Sequence, residues 1–367
     1  MKRSIYLQPA GIFWDRAEKR AVDEADIPVW RGLPLAGLRL SFAALDVLTR
    51  TTGGTKRKTV ILGDAFSGDW GKDGLAASDL LAAMTEPRPR FAGLDLNRPR
   101  IMGIVNVTPD SFSDGGQFAT TQAAIDHGLR LIDEGADILD IGGESTRPGS
   151  DAVALDDELR RVIPVIEGLH AKTDAVISID TRKAEVMRRA ANAGADILND
   201  VSALTHDPAA LETAAETGLP VILMHAQGDP KTMNDDPQYA DVVLDVFDFL
   251  ESRIYACVAA GIPIAKIAAD PGIGFGKHLH HNIAVMAGLS LYHGLGVLLL
   301  LGASRKKMIG QLCDVADAKD RVPGSLACAI VGASQGVQIF RVHDVKETKQ
   351  ALEVWRASMA GTEKGLG

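Results

Sequence analysis

The sequence predicts an α/β protein: a (β/α)8 TIM barrel preceded by a small α+β module. Three observations carry that prediction. From about residue 100 onward, short apolar runs alternate with helical patterns, and eight such pairs fill the rest of the 367-residue chain. The runs are continuously apolar, as parallel strands buried on both faces must be. Most of them end in Asn, Asp, His, Ser or Arg, so polar groups collect at one end of the strand set. A doubly wound open sheet is the rival arrangement, but eight short pairs favour closure.

Composition narrows the function. An apolar content of 46% supports a full core, and 37 glycines suit many βα turns. The net charge of −9 argues against wrapping nucleic acid or binding an anionic membrane. It leaves room for a small anionic substrate in a cleft with local cations. Cys257, Cys313 and Cys328 are too few and too far apart for a disulfide framework or a zinc site, which points to a reducing cytoplasm. The Met1-Lys-Arg-Ser-Ile start lacks an export signal, and no run approaches the roughly 18 apolar residues of a membrane span.

Residues 1–95 stand apart from the alternating pattern and are expected to form the α+β module. They hold Trp14, Trp30 and Trp70, apolar runs at 38–48 and 60–62, and turn signals such as Thr52-Gly53-Gly54. No phosphate loop, metal motif or nucleotide fingerprint occurs there. The Glu86-Pro-Arg-Pro-Arg90 stretch, continuing to Arg100, reads as a linker into the barrel domain, 96–367.

The barrel elements follow in order. Strand 101–107 delivers Asn106 and breaks into Thr108-Pro-Asp-Ser-Phe112-Ser-Asp114-Gly-Gly; helix 122–134 then stops at Gly135, a C′ residue. Strand 138–142 carries Asp140 and opens into Gly143-Glu144-Ser-Thr146-Arg147-Pro148-Gly, before helix 157–171. Strand 176–180 ends in Asp180, with helix 184–193 halted by Gly194. Strands 197–201 and 221–225 end near Asn199-Asp200 and at His225, with helices 208–217 and 239–260 behind them. Strand 267–270 ends in Asp270 before helix 282–292, and strand 297–302 leads to Ser304-Arg305-Lys306 before helix 325–334. Strand 337–342 ends at Arg341 beside His343, and helix 344–359 closes the set.

Two chemical groupings emerge at the strand ends. Asp180, Asn199, Asp270 and Lys306 suit a flat heterocycle with an amidine-like donor edge and a carbonyl. The carboxylates accept ring N–H groups, the amide does both, and the lysine donates to the carbonyl. The bland alternative is a stabilising ion pair of Asp180 with Lys306 inside the barrel. Asn106, Arg147, Arg341 and His343 come from the first, second and eighth strands, neighbours in a closed barrel, and suit a phosphate. Asn106 is a hard oxygen ligand able to hold Mg2+ together with substrate phosphates. The alternative for Arg341 and His343 is a surface salt bridge with Asp344. His225 reads as a satisfied core histidine, the His278-Leu-His280-His281 run as a solvated helix start, and Glu144 as a brace for its loop. The Asp270-Pro-Gly-Ile-Gly-Phe275-Gly-Lys277 run looks like a phosphate loop, yet its spacing matches neither the dinucleotide fingerprint nor the P-loop.

Taken in order, these motifs resemble dihydropteroate synthase, over about residues 98–360. The resemblance rests on the two long loop motifs, Ser-Ile-Asp180-Thr, Asn199-Asp200-Val-Ser, Asp270-Pro-Gly-Ile-Gly-Phe-Gly-Lys277, Ser304-Arg-Lys306 and Arg341-Val-His343. It implies a transferase of folate synthesis that joins para-aminobenzoate to hydroxymethyl-dihydropterin diphosphate, depends on Mg2+, forms a homodimer and is a sulfonamide target. Asp180, Asn199, Asp270 and Lys306 resemble the pterin pocket, with Thr146 as a further pterin or loop contact. Asn106, Arg147, Arg341 and His343 resemble the diphosphate and Mg2+ site. Phe112, Pro148, Phe275 and Lys307 resemble the aminobenzoate walls, and Asp114 the carboxylate over the reacting centre. The catalytic set implied is Asp114, Arg147, Lys306, Arg341 and His343.

The chain departs from the family where Lys307 replaces the usual Ser, and in its N-terminal extension. A pterin-dependent methyltransferase shares the pterin pocket but has no use for Thr146-Arg147-Pro148 or the Arg341 and His343 pair. A non-catalytic pterin-binding paralogue would have no need of both loops and every anion-binding residue.

Overall fold

A computed structural model describes residues 3–15, 32–62, 70, 73–107, 117–145, 151–228, 232–233 and 235–362. The N-terminal part is an antiparallel sheet of β1 (Ile5–Trp14), β2 (Leu33–Pro34), β3 (Leu40–Thr51) and β4 (Gly54–Ile61). The long β3 is central, with β1 on one side and β2 and β4 on the other. The Thr52-Gly53 turn signal is the tip of the β3–β4 hairpin, where Thr51 faces Gly54. Helix α1 (Gly74–Thr85) buries Ala77, Leu80 and Met84, spaced by three and four as one helical face requires.

Eight parallel strands then close a barrel: β5 (Arg100–Asn106), β6 (Ile138–Gly142), β7 (Val176–Asp180), β8 (Ile197–Asp200), β9 (Val221–Met224), β10 (Ile267–Asp270), β11 (Leu298–Leu301) and β12 (Ile339–Val342). Closure is made by β12 on β5, with Ile339 opposite Arg100. The outer layer is α2 (Gln117–Glu134), α3 (Leu155–His170), α4 (Ala184–Asn192), α5 (Ala210–Thr217), α6 (Val242–Ala259), α7 (Leu279–Ala287), α8 (Lys307–Cys313), α9 (Val322–Ser334) and α10 (Val345–Ala360). The single helix expected over 282–292 is instead α7, which ends at Gly288, followed by a 3-10 segment Leu289–Leu295. The short α8 is an addition to the expected set. Among the described residues, no helix is long and apolar enough to cross a membrane.

The stretch expected as a linker is packed. Arg88 donates to the carbonyls of Val297 and His293. Phe91 and Leu96 close the floor of the barrel against Met102, Ile138, Ile197, Ile222, Leu300 and Ile339. Proline makes the stretch extended, and one buried aromatic then anchors it.

The N-terminal sheet also docks firmly on the barrel. Tyr6 donates to Asp248 at 2.7 Å and meets Phe247 edge to face, while Arg50 bridges the Tyr6 hydroxyl, Asp245 and Asp248. Asp241 caps α6 by accepting from the Val243 and Leu244 amides, and its other oxygen accepts from Thr55. Trp14 packs edge to face on Trp355 of α10. Tyr6, Leu7, Phe42 and Leu45 share one continuous core with Phe247, Leu250, Leu291 and Tyr292.

Candidate active site

Strand register builds the mouth. Asn106, Gly142, Asp180 and Asn199 lie side by side at the C-terminal ends of β5, β6, β7 and β8. A Cβ on Gly142 would stand 3.8 Å from both Asn106 Oδ1 and Asp180 Oδ2, so the missing side chain keeps that part of the mouth open. Across the barrel, a Cβ on Gly302 would stand 3.6 Å from Asp270 Oδ2 and 3.9 Å from Arg341 Cβ. The small residue between them brings those two groups to one rim.

Arg341 is the centre of the arrangement. Its Nε donates to Asp140 at 2.6 Å and its Nη2 donates to Asp180 at 2.8 Å. Asp140 is fully buried one layer below the mouth, and it also accepts from the Asn199 amide at 3.2 and 3.3 Å. A carboxylate inside an apolar strand needs a cation, and Arg341 supplies it. Burial pushes the Asp180 carboxyl above its ordinary range, and Asp140 nearby adds to the rise, against the attraction of Arg341. Burial by itself would lower Arg341, but Asp140 and Asp180 outweigh it and hold the guanidinium charged.

Asp270 is likewise raised by burial, while a bond from the Gly272 amide at 2.7 Å and the charge of Lys306 oppose the rise. The Lys306 ammonium lies 4.0 Å above the Phe275 ring centre. His343 Nδ1 is 3.0 Å from Ser304 Oγ, and Arg305, not Arg341 or His343, takes Asp344. Lys307 is exposed at the start of α8.

The structure therefore brings Asn106, Asp180, Asn199, Asp270, Lys306, Phe275, Arg341 and His343 to one end of the barrel. The bland alternative of Asp180 paired with Lys306 does not occur: Asp180 pairs with Arg341, which points into the barrel between Asp140 and Asp180. One grouping differs from expectation, because Arg341 joins the Asp180 and Asn199 set to the Asn106 and His343 set instead of belonging to the latter alone. Phe112, Asp114, Thr146, Arg147 and Pro148 lie outside the described residues.

Two buried residues near the mouth have no assigned role in the sequence. Asp140 stands two residues from both Ile138 and Gly142 and so shares their face of the strand, which is the available signal for an inward carboxylate. Lys277 reads from sequence only as the end of a glycine run. Its Nζ is buried and donates to His225 Nδ1, and burial pulls it down to about 7. His225 is satisfied in the core as expected, held neutral by burial and by Lys277. Glu144 braces its loop by accepting from Arg182 at 2.6 Å and Lys183 at 2.5 Å. His278 caps α7, with His278 and His280 exposed.

Comparison with known proteins fits this geometry. The family described as Pterin binding enzyme matches residues 102–343. The dihydropteroate synthase of Escherichia coli strain K12 is 51% identical over 270 residues, which is 74% of this chain and 95% of the relative. Xanthomonas albilineans dihydropteroate synthase solved with 4-aminobenzoic acid is 52% identical at a TM-score of 0.70, covering 73% of this chain and 97% of that one. The same enzyme in complex with 7,8-dihydropteroate is 49% identical at a TM-score of 0.66, covering 73% and 96%. The chain belongs to the pterin-binding enzyme family and, within it, to the dihydropteroate synthases.

Proposed function

We propose that this chain joins para-aminobenzoate to hydroxymethyl-dihydropterin diphosphate, releasing diphosphate and dihydropteroate. The observation that carries the reading is one mouth in which Asp180, Asn199, Asp270 and Lys306 surround the space next to the Arg341 guanidinium. Asp180 and Asp270 accept from the amidine-like edge of the pterin, Asn199 pairs both ways, and Lys306 donates to its carbonyl. The family resemblance assigns Thr146 a further pterin or loop contact.

The bond that breaks joins the pterin methylene to the diphosphate oxygen, whose electron pair leaves with the anion. The electron-rich ring delocalises the cation that develops. Arg147, Arg341 and His343 stabilise the departing charge. The aniline lone pair then forms the new C–N bond, and the nitrogen sheds its proton. The resemblance to the family assigns Asp114 the role of the carboxylate over the reacting centre, Phe112, Pro148 and Phe275 that of walls for the aminobenzoate, and Lys307 that of attracting its carboxylate.

The donor chemistry fits Mg2+ shared with substrate. Among the described residues no cluster of three His, Cys, Asp or Glu is placed to hold a metal by itself, whereas Asn106 offers one hard oxygen at the rim. Asn106 with the substrate's own phosphate oxygens would hold the ion, which supplies charge neutralisation to the leaving group.

The chain also acts, in this proposal, as a homodimer in the cytoplasm. Exposed Ile283, Leu312 and Val331 on the neighbouring α7, α8 and α9 give an apolar face for a second copy, and light scattering at twice the monomer mass is the expected result. For catalysis, a coupled assay should register diphosphate release only with both substrates and Mg2+, with sulfonamides competing against aminobenzoate. Silence with all three present would end the proposal. Methyl transfer from a methylated reduced pterin to a corrinoid partner, with no diphosphate released, would favour the methyltransferase.

A further inference from the structure

The glycine-rich run from Asp270 to Lys277 supplies Asp270 and Phe275 to the mouth, but nothing above uses its lysine. Lys277 is almost fully buried, so its nitrogen must find its partners inside the protein. Four acceptors lie within reach: His225 Nδ1 at 2.9 Å, the Gly272 carbonyl at 2.9 Å, the Phe275 carbonyl at 3.2 Å and the His225 carbonyl at 3.4 Å. They outnumber the protons the nitrogen can carry, so none is left for a phosphate. This separates the run from the phosphate loops it resembles.

What the lysine does is tie the loop to itself and to the end of β9. Gly272 has φ +71°, and a Cβ there would stand 1.9 Å from the His225 carbonyl, so the loop lies directly on that residue. Further bonds fix the rest of the turn. Asn282 accepts from the Gly274 amide at 2.7 Å and donates to the Lys277 carbonyl, and Tyr239 donates to the Gly276 carbonyl at 2.7 Å. Phe275 is the one side chain this knot presents to Lys306.

We propose that Lys277 is a positioning residue for the synthase reaction: by knotting the 271–277 loop onto His225 it holds the Phe275 ring against the Lys306 ammonium. The inference rests on the function proposed above. It assigns Lys277 to the aminobenzoate side of the mouth, since Phe275 is what the knot presents, while Asp270 is carried by β10 itself and Asp180 and Asn199 stand on strands the loop does not touch.

The test compares full-length Lys277→Met with the parent. Losing a buried donor and leaving its four acceptors unpaired should raise the aminobenzoate KM about tenfold or more. Affinity for bare pterin, measured by calorimetry, should stay within about threefold, since the strand carboxylates remain. In a Phe275→Ala background the same change should add nothing to KM. His225→Asn keeps an acceptor near the Nδ1 position and should behave as the parent, while His225→Leu should follow Lys277→Met; this pair keeps the test valid if Lys277→Met does not fold. The 19F resonance of fluorophenylalanine at 275 should shift in Lys277→Met, a readout independent of turnover. A parental KM and unmoved resonance, or equal losses of pterin and aminobenzoate binding, would overturn the proposal. A parent without turnover whose 275 resonance still moves would instead indict the synthase reading.

Discussion

Arg341→Met is the most informative perturbation of the mouth. The change keeps the length and apolar stem of the side chain and removes a guanidinium that two buried carboxylates share. Asp140 and Asp180 would then sit together with no cation bonded to either. Breaking a buried pair by deleting one partner costs about 3–5 kcal/mol. At roughly 2 °C per kcal/mol for a chain of this size, the melting temperature should fall by about 6–10 °C at neutral pH. The loss should depend on pH in a definite direction. Asp180 is already raised by burial in the parent, and without Arg341 it rises further above its unfolded value. Between the unfolded carboxylate pKa of about 4 and that raised value, the folded state binds more protons. The variant therefore regains stability as pH falls towards about 5, and its deficit against the parent narrows. Turnover should fall by about two to three orders of magnitude, as when one preorganised donor to a developing anion is lost. Thermal melts across pH and coupled diphosphate release read the two effects separately. A variant that melts like the parent at every pH, or turns over within a few-fold of it, would refute the role given to Arg341.

Other perturbations follow from the same contacts. Phe91→Ala should empty the barrel floor and cost about 3–5 kcal/mol by chemical denaturation; a cost below about 1 kcal/mol would mean that the segment before β5 is a tether after all. Arg50→Ala should strand Asp248 and the Tyr6 hydroxyl beneath the N-terminal sheet and speed proteolysis within residues 1–95 while turnover persists, and unchanged cleavage would deny the docking role. Burial acts to raise Glu144, but Lys183 and Arg182 outweigh it and leave the carboxyl below its ordinary value. Its stabilisation is therefore present above about pH 4.3 and lost as pH falls. Glu144→Gln should accordingly be less stable than the parent at pH 7 and converge with it near pH 3, and a constant gap would exclude the ion pairs as the cause.

Much of the barrel was legible because its signals are local. The strands 138–142, 176–180 and 267–270 begin and end where the apolar runs do, since a parallel strand covered on both faces is mostly apolar, with Asp140 and Ser178 as inward exceptions. Gly135 and Gly194 end their helices with positive φ as their position demanded. The site residues could be named individually for the same reason, but their pairing could not. Whether Asp180 meets Lys306 or Arg341 depends on which side chains point inward on β7 and β12 once the barrel closes, a long-range fact. Lys277 was illegible because its partners are three carbonyls and a histidine ring about fifty residues away, and carbonyls carry no sequence signal. The 86–100 stretch misled because proline and arginine are also what a linker is made of, and only Phe91 hinted at an anchor.

The shared core of the N-terminal sheet and α6 bears on how the chain can be handled. The family match starts at residue 102, so trimming to the homologous length is the obvious route to a compact enzyme. Here that cut would strip the cover from Phe247, Leu250 and Tyr292, turning an interior seam into a sticky exterior. A shortened version would be expected to clump unless those positions were repainted with charge, which makes the extension a built-in jacket for its barrel.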